Sequence, residues 1–452
     1  MIKLIEELYV IPDKKHFIVY APLKRKILQV NKEFVKLLDK IRNQKAALFG
    51  ADERMCIESL KNLDFINASE DYPENTFGTT EYSPTSVTFL PTSNCNLQCI
   101  YCYSNSNLES ENLSIDVAFK AIDLIIENAL KQQLTQIQIG FLGGGEPFLE
   151  WDFVTTIIRY AQLEAKKNDL STYFTGVTNG VLSEKKIDFI IKNFNYLNIS
   201  IDGTKEIQNI QRPKKNRKES FESVVRTIYR LNEVGFKFGT RSTISSMSVN
   251  NMIDIVKFLN NDLHVKKIHF EPLHPCGRAK MKLNLAPDPL LFIANFKKCL
   301  SITSKSKSEL FCSAIRLDTL TSRFCGALNQ NFYVVPNGYV TACTEVSSID
   351  DHLSEIFFIG RFDTENGKFV FDEKKIRALS ERKVTNIPCC SECIAKWHCA
   401  GACPVKGVLA GNLYDPSATI NCLISKELTE FYIKSIANGK KGLSPRITEI
   451  YN

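Results

Sequence analysis

The sequence predicts an α/β fold: a partial (β/α)6 barrel, with a small α+β unit before it and a cysteine-rich region after it. Three observations predict this. From about residue 85 to 275, six short apolar runs alternate with amphipathic helical patterns, as parallel strands joined by crossover helices require. Unusual motifs follow five of those runs directly, where barrel enzymes place their chemistry. Finally, many of the 15 cysteines fall in spaced sets, one at the first strand and the rest beyond the barrel.

The elements follow in chain order. "HFIVYAPLKRKILQVN" (16–31) reads as strand, turn, strand, and "KEFVKLLDKIRN" (32–43) and "DERMCIESLKNL" (52–63) as helices. "EDYPENTFGTTEYSPTS" (70–86) is polar with Pro and Gly and reads as a linker, so residues 1–80 form one unit. Residues 81–300 hold the TIM-like barrel, with strands "SVTFL" (86–90), "QIQIGFL" (136–142), "TYFTGVT" (172–178), "LNISI" (197–201), "KFGTRSTI" (237–244) and "KIHFEPL" (267–273). Between them, "SIDVAFKAIDLIIENAL" has Ser114 as N-cap and Ala118, Ile122, Ile125 and Ala129 on one face; "SEKKIDFIIKNF" and "ESFESVVRTIYRLNEVG" behave likewise. "SITSKSKSEL" (301–310) looks like a second linker, opening a cysteine-rich region over 301–436. A tail, 437–452, is expected to be disordered.

Composition excludes several classes. The 44% hydrophobic and 24% charged content is that of a soluble globular protein. The start, "MIKLIEELYVIPDKK", has no apolar core of a signal peptide, and no apolar run approaches the roughly 18 residues of a membrane span. The expectation is a cytoplasmic protein, whose cysteines then serve metal rather than disulfides. Net charge is only +7, and the densest basic stretch, "RPKKNRKES" (212–220), reads as a solvated loop or as an attractor for an acidic peptide. Nucleic-acid binding has no support, since basic and aromatic residues are not interleaved.

"NCNLQCIYCY" (94–103) sets Cys95, Cys99 and Cys102 within eight residues. Four thiolates are the usual set for a 4Fe–4S cluster, so three leave one iron open to a small molecule. Unliganded thiols, or a zinc site completed from elsewhere, are the alternatives. With Tyr101 before the last cysteine, the triplet resembles the signature of radical S-adenosylmethionine (radical SAM) enzymes. In that family the open iron chelates the amino and carboxylate groups of SAM, and one electron cleaves it to methionine and a hydrogen-abstracting 5′-deoxyadenosyl radical.

The resemblance extends along the barrel. "GGGEP" looks like the family's GGE motif and implies that Gly144, Gly145 and Glu146 approach the SAM amino group. "NISIDG" implies Ser200 as a SAM ligand; Arg212 matches an arginine that contacts SAM, and Leu273 a position lining the adenine site. Arg241, on the fifth strand, pairs either with the SAM carboxylate or with a barrel acid. Asp202-Gly203 also reads as a simple turn and Arg212 as a surface ion pair.

Beyond the barrel, Cys325-x12-Gly338-x4-Cys343, Cys390-x2-Cys393-x5-Cys399-x3-Cys403 and Cys422 are similar to the seven-cysteine SPASM domain. The resemblance implies two auxiliary 4Fe–4S clusters, three clusters in all: one on Cys312, Cys325, Cys343 and Cys403, the other on Cys390, Cys393, Cys399 and Cys422, with Cys312 as the candidate eighth ligand. Cys389 leaves the register beside Cys390 open. Cys56 and Cys299 read as core residues, and Cys276 and His274 as loop residues of the mouth that could also contact substrate or carry a proton. No catalytic acid or base stands out among Asp202, Glu271 and Glu345.

SPASM-bearing relatives modify peptides or proteins and include ribosomal-peptide maturases and anaerobic sulfatase-maturing enzymes. The latter resemble a barrel starting near the N-terminus, with an aspartate after the cysteine aligned to Cys343. Here roughly 85 residues precede the barrel and Thr344-Glu345 follow Cys343. Residues 1–75 look like the RiPP recognition element, a winged-helix-like module that binds a leader peptide as an added strand. A helical cap on the barrel is the other reading. The expectation is a maturase of a ribosomally made precursor peptide, favouring a thioether over a C–C cross-link and fed by a flavodoxin- or ferredoxin-type donor. Sulfatase-type maturation and a simple iron–sulfur electron carrier or redox sensor are the alternatives; a carrier would leave "GGGEP", Ser200 and Arg212 without a role.

Overall fold

The computed structural model describes residues 2–14, 16–43, 49–73, 81–104, 106, 111–281, 284–328 and 330–439, and the backbone of 449–451. Strands β1 (Tyr9–Asp13), β2 (His16–Ala21) and β3 (Lys26–Val30) form an antiparallel meander. Val19, Ala21 and Leu28 face helices Lys32–Arg42 and Ala51–Asn62, burying Leu37, Leu38, Ile41, Ile57 and Leu60 between them. The other face, Ile11, Ile18, Tyr20 and Ile27, packs on Ile433, Ile436 and Ala437 of the last helix, Ile420–Ala437. Alternation at period 2 produces both faces. The unit is therefore docked on the C-terminal region rather than capping the barrel. Strand β1 escaped the sequence reading because Pro12 interrupts it at an edge, where proline is tolerated.

Six parallel strands follow, β4 (Ser86–Phe89), β5 (Gln136–Phe141), β6 (Ser171–Thr178), β7 (Tyr196–Ser200), β8 (Phe238–Ile244) and β9 (Lys267–Pro272), each beside the next. They lie within a residue or two of the expected spans. Helix Ile115–Lys131 buries Ala118, Ile122, Ile125 and Ala129 completely, the i, i+4, i+7, i+11 stripe of one face. Ser114 has the extended backbone of an N-cap, but its side chain makes no capping hydrogen bond.

Two expectations about the flanks change. Residues 301–303 complete helix Pro289–Thr303, and β10 (Glu309–Phe311) adds a parallel strand beside β9, so 301–310 is no linker. At the other edge β11 (Tyr333–Val334) lies parallel to β4, and β12 (Tyr339–Thr341), β13 (Phe358–Asp363) and β14 (Lys368–Phe371) extend it antiparallel. The cysteine-rich region thus continues one eleven-stranded sheet with the barrel. In the tail, β15 (Glu449–Tyr451) runs parallel to β3, which corrects the expectation of disorder there; 440–448 lie outside the described residues, as do 74–80 of the first linker. No helix among the described residues is long and apolar enough to cross a membrane.

Candidate active site and cysteine centres

A cavity of about 300 Å3 opens at the C-terminal ends of the barrel strands. Its walls bring together Cys95, Cys99, Tyr101, Cys102, Gly144, Gly145, Glu146, Ser200, Arg212, Arg241 and Leu273, which are all the residues expected around the first cysteine set. Residues separated by up to 178 positions meet there because every one sits at a strand end or on the loop after it.

The cysteine loop is held by main chain on three sides. Gly145 N–H donates to Thr92 O (2.9 Å) and Glu146 N–H to Asn94 O (2.8 Å). A Cβ on Gly145 would lie 1.8 Å from Asn94 O, so only glycine allows this approach. On the second side, Gln98 N–H reaches Pro213 O (2.7 Å), Ile100 N–H reaches Gln211 O (3.0 Å) and Lys215 N–H reaches Asn96 O (3.1 Å). The basic stretch 212–220 is therefore a buttress of the loop at its start, not simply a solvated segment. On the third, Arg278 N–H donates to Cys102 O (2.9 Å) and its Nη1 to Cys99 O (3.0 Å). Gly277 has φ +50°, and a Cβ there would meet Cys102 O at 2.2 Å.

The three thiols differ. Burial pushes Cys95 up to about 11 and Cys99 up to about 12. Burial acts on Cys102 too, but the hydroxyls of Ser104 (3.3 Å) and Ser106 (3.4 Å) and the charge of Arg278 outweigh it and lower its pKa. Ser104 and Tyr103 also tie the loop to the Gly144 and Gly143 carbonyls.

Glu146 does not point its carboxylate freely into the cavity. It accepts from the Asn179 N–H (2.7 Å), the Thr178 hydroxyl (2.8 Å) and the Phe148 N–H (3.3 Å), locking the second strand's loop to the third's. Burial, partly offset by those donors, raises its pKa to about 6. Arg212 is 9% exposed, so it is no surface ion pair. Its Nη1 donates to the Tyr101 hydroxyl (2.9 Å), while its buried Nε has no partner among the described residues. Tyr101 in turn donates to Asp202, which also accepts from Gln211 Nε2 (2.8 Å) and Thr243 N–H (3.0 Å). Asp202 is a buried hub rather than only a turn. Leu273 packs with Ile100, Tyr101, Ala279 and Leu285.

Glu271 is ion-paired to Lys406 (2.9 Å) and accepts from Ser313 (2.7 Å). Burial would raise its pKa, but Lys406, His269 and Arg241 together hold it well below the usual carboxylate range. With that acid engaged, Arg241 makes no ion pair among the described residues and faces the cavity. Glu345 also lines the cavity, and its buried Oε2 has no partner among the described residues. His274 and Cys276 share the wall. Burial lowers His274 to about 4 and raises Cys276 to about 12, so both are neutral near pH 7.

The second group of cysteines sorts into two neighbourhoods. Cys343 lies close to Cys403 and Cys325, while Cys390, Cys393 and Cys422 lie close to Cys399. Cys312 is buried, with Glu271, Lys406 and Arg241 as its leading charged neighbours rather than a cysteine. Cys390 is buried and Cys389 exposed, so only the former faces the interior. Cys299 is buried, and Cys56 half-buried against the N-terminal core. Among the described residues no three Cys, His, Asp or Glu side chains converge on the spacing of a single metal ion. The donors nonetheless suit iron–sulfur groups, which are all-thiolate sites of net negative charge. The same region buries Arg382 and Arg316 against main-chain carbonyls, and isolated buried cations need a counter-charge.

Sequence reasoning missed Arg278, Lys406, Arg316 and Arg382. Arg278 lies two residues beyond Cys276, already read as a loop residue of the mouth, and that proximity was the available signal. Lys406 follows Cys403 by one helical turn and reaches across to the barrel, which no local pattern announces.

Residues 89–260 match the radical SAM superfamily. The chain is 32% identical over 213 residues to an uncharacterized protein, MJ0907, of Methanocaldococcus jannaschii, covering 46% of this chain and 68% of that one. It spans about half the length of cysteine-type anaerobic sulfatase-maturating enzymes of Clostridium, at 25–27% identity. In fold it is similar to anSMEcpe with bound AdoMet and a Cp18Cys peptide (TM-score 0.61, 19% identity, 79% of this chain and 100% of that). It is also similar to Streptococcus suis SuiB bound to precursor peptide SuiA (TM-score 0.52, 15% identity, 93% and 99%). The superfamily match and the M. jannaschii relative together decide the question: the chain belongs to the radical SAM superfamily of enzymes, which use a 4Fe–4S cluster and SAM.

Proposed function

We propose that this enzyme is a peptide maturase that holds SAM in the barrel mouth and installs an intramolecular cross-link, a thioether by preference, in a ribosomally made precursor. The observation that carries the reading is the single cavity shared by the three-cysteine loop, the glycine loop, Ser200, Arg212 and Arg241. Cys95, Cys99 and Cys102 would hold the cluster, with SAM at the remaining iron. When bound, the pair supplies a 5′-deoxyadenosyl radical that abstracts hydrogen from the peptide.

The chain's own residues do the rest. Gly144 leaves room for the methionyl end of SAM while Gly145 lets the loop close on Asn94, and Arg212 and Arg241 offer guanidinium donors to its carboxylate and ribose. Leu273 gives an apolar surface for adenine. Glu146 and Asp202 act as positioning residues, since their oxygens already hold protein donors. Glu345 and neutral His274 face the same space and can take the proton that a cross-link releases. Cys312, Cys325, Cys343 and Cys403, and Cys390, Cys393, Cys399 and Cys422, would hold two auxiliary clusters that accept the second electron.

Residues 1–80 would bind the leader as an added strand. Among the described strands of that sheet β1 pairs on one side only, whereas β3 is paired on both. The peptides in the anSMEcpe and SuiB structures support a peptide substrate. Formylglycine formation is the second reading, favoured by the similarity to sulfatase-maturating enzymes; Thr344, at the position where that group is expected to carry an aspartate, and the N-terminal unit favour the first.

The test is anaerobic incubation of reconstituted enzyme with SAM, a reductant and candidate precursor peptides containing cysteine. Loss of two hydrogens from the peptide without a change in its length supports a cross-link. Conversion of a sulfatase-derived cysteine peptide to an aldehyde, with no cross-linked product from any precursor, would move the assignment to the second reading.

A further inference from the structure

Between the two distal cysteine neighbourhoods lie two buried guanidinium groups. Arg382 has no exposed surface. Its Nε donates to Leu413 O (2.6 Å), its Nη1 to Ala402 O (3.1 Å) and its Nη2 to Gly401 O (2.6 Å). Arg316 donates to Phe324 O (2.5 Å) and Cys399 O (3.2 Å) and stacks on the Phe324 ring at 4.8 Å. Neither forms an ion pair with a carboxylate among the described residues. The titratable groups that act most on Arg382 are Cys403, Cys325, Cys399 and Cys390, two from each neighbourhood. For Arg316 they are Cys399 and Cys325, one from each, followed by Asp318.

The backbone gives a second, independent observation. Cys399 and Cys403 belong to different neighbourhoods but are joined by Ala400, Gly401 and Ala402, all left-handed at φ +52°, +79° and +57°. Two of these three are alanines, whose Cβ disfavours that region. The strained turn aims successive carbonyls inward, and the arginines collect those of Cys399, Gly401 and Ala402. Gly401 also has no room for a side chain, since a Cβ would sit 2.3 Å from Ile387.

We propose that Arg316 and Arg382 form a cationic spacer between the two auxiliary cluster sites, fixing their separation and holding both at a higher reduction potential. This rests on the reading that these cysteines bind iron–sulfur clusters. The sign follows from electrostatics: reduction adds negative charge, a nearby buried cation favours the reduced form, and low local polarity strengthens the effect. The arginines are positioning residues, touching neither SAM nor peptide.

The experiment is an EPR-monitored redox titration of reconstituted full-length enzyme, wild type against Arg316→Gln, Arg382→Gln and Arg382→Lys, with iron and sulfide counted per chain. The Gln variants are expected to keep their iron while the auxiliary signals shift about tenfold in oxidised-to-reduced ratio toward the oxidised side, about 59 mV for a one-electron couple. The signal that responds to SAM should stay in place, and Arg382→Lys should recover most of the shift. Unchanged auxiliary potentials in either Gln variant with full iron overturn the proposal. If Arg382→Gln loses iron, Arg316→Gln decides it by the same criterion. A wild-type protein with only one cluster's iron would instead overturn the cluster reading beneath it.

Discussion

The two cysteine-bearing regions are held by opposite devices. The loop with Cys95, Cys99 and Cys102 is stitched to its neighbours by main-chain hydrogen bonds, and this leaves a cavity in front of the sulfurs. The segment from Cys390 to Cys403 instead winds around buried guanidinium groups, with Trp397 and Arg382 fully enclosed. A rigid backbone cradle with unspent donors suits a small molecule that must come and go. A strained turn packed around fixed charge suits groups that stay. One kind of residue, cysteine, thus sits in two contrasting surroundings, and under the proposed function those surroundings would separate two tasks.

The predictions test that separation, from the largest effect to the smallest. Cys99→Ala should abolish SAM cleavage, read as loss of 5′-deoxyadenosine, since no other thiol in the cavity can replace it at the same point of the loop. Cys399→Ala should lose the peptide product while retaining measurable SAM cleavage; equal loss of both would erase the distinction between the regions. Breaking the buried Glu7–Lys396 pair with Glu7→Ala leaves an unpaired ammonium at the junction of the N-terminal unit and the distal cysteines. That should cost about 3–5 kcal/mol, visible as a lowered Tm, with Lys396→Met on the same background recovering part of it. Arg212→Gln removes the charge behind Tyr101 and the unpartnered Nε, and SAM affinity should fall about tenfold to hundredfold, equivalent to roughly 1.5–3 kcal/mol, in a binding titration.

Much of the barrel was legible because its signals are local. Each strand is a run of Ile, Val and Phe that ends in a motif, and once the alternation of strand and helix is accepted, "GGGEP", "SIDG" and the cysteines must share one rim. The helix Pro289–Thr303 was legible only as the helical pattern that made Cys299 a core residue, and its bounds were not. "PLLFIANFKKCLSIT" buries Phe292, Ile293, Phe296, Cys299 and Leu300 and carries little contrast between faces, so its period is faint. Strand β10 is only three residues long and follows a serine-rich segment, which mimics a linker.

Charged residues were the least readable. Lys406 and Glu271 lie 135 positions apart and are neutralised only by meeting. Arg382 looks like any surface arginine in "LSERKVTN" until its three carbonyl acceptors are seen. Docking of the N-terminal sheet on Ile433 and Ile436 could not be foreseen either, because both of its faces are apolar and nothing local says which partner each one meets.

The most direct measurement is anaerobic incubation of the iron-reconstituted chain with SAM and a strong reductant, with methionine and 5′-deoxyadenosine quantified for wild type and for Cys99→Ala. The wild type should give both products in equal amounts and the variant neither. A wild-type protein that takes up iron at these cysteines yet neither binds nor cleaves SAM would contradict that expectation.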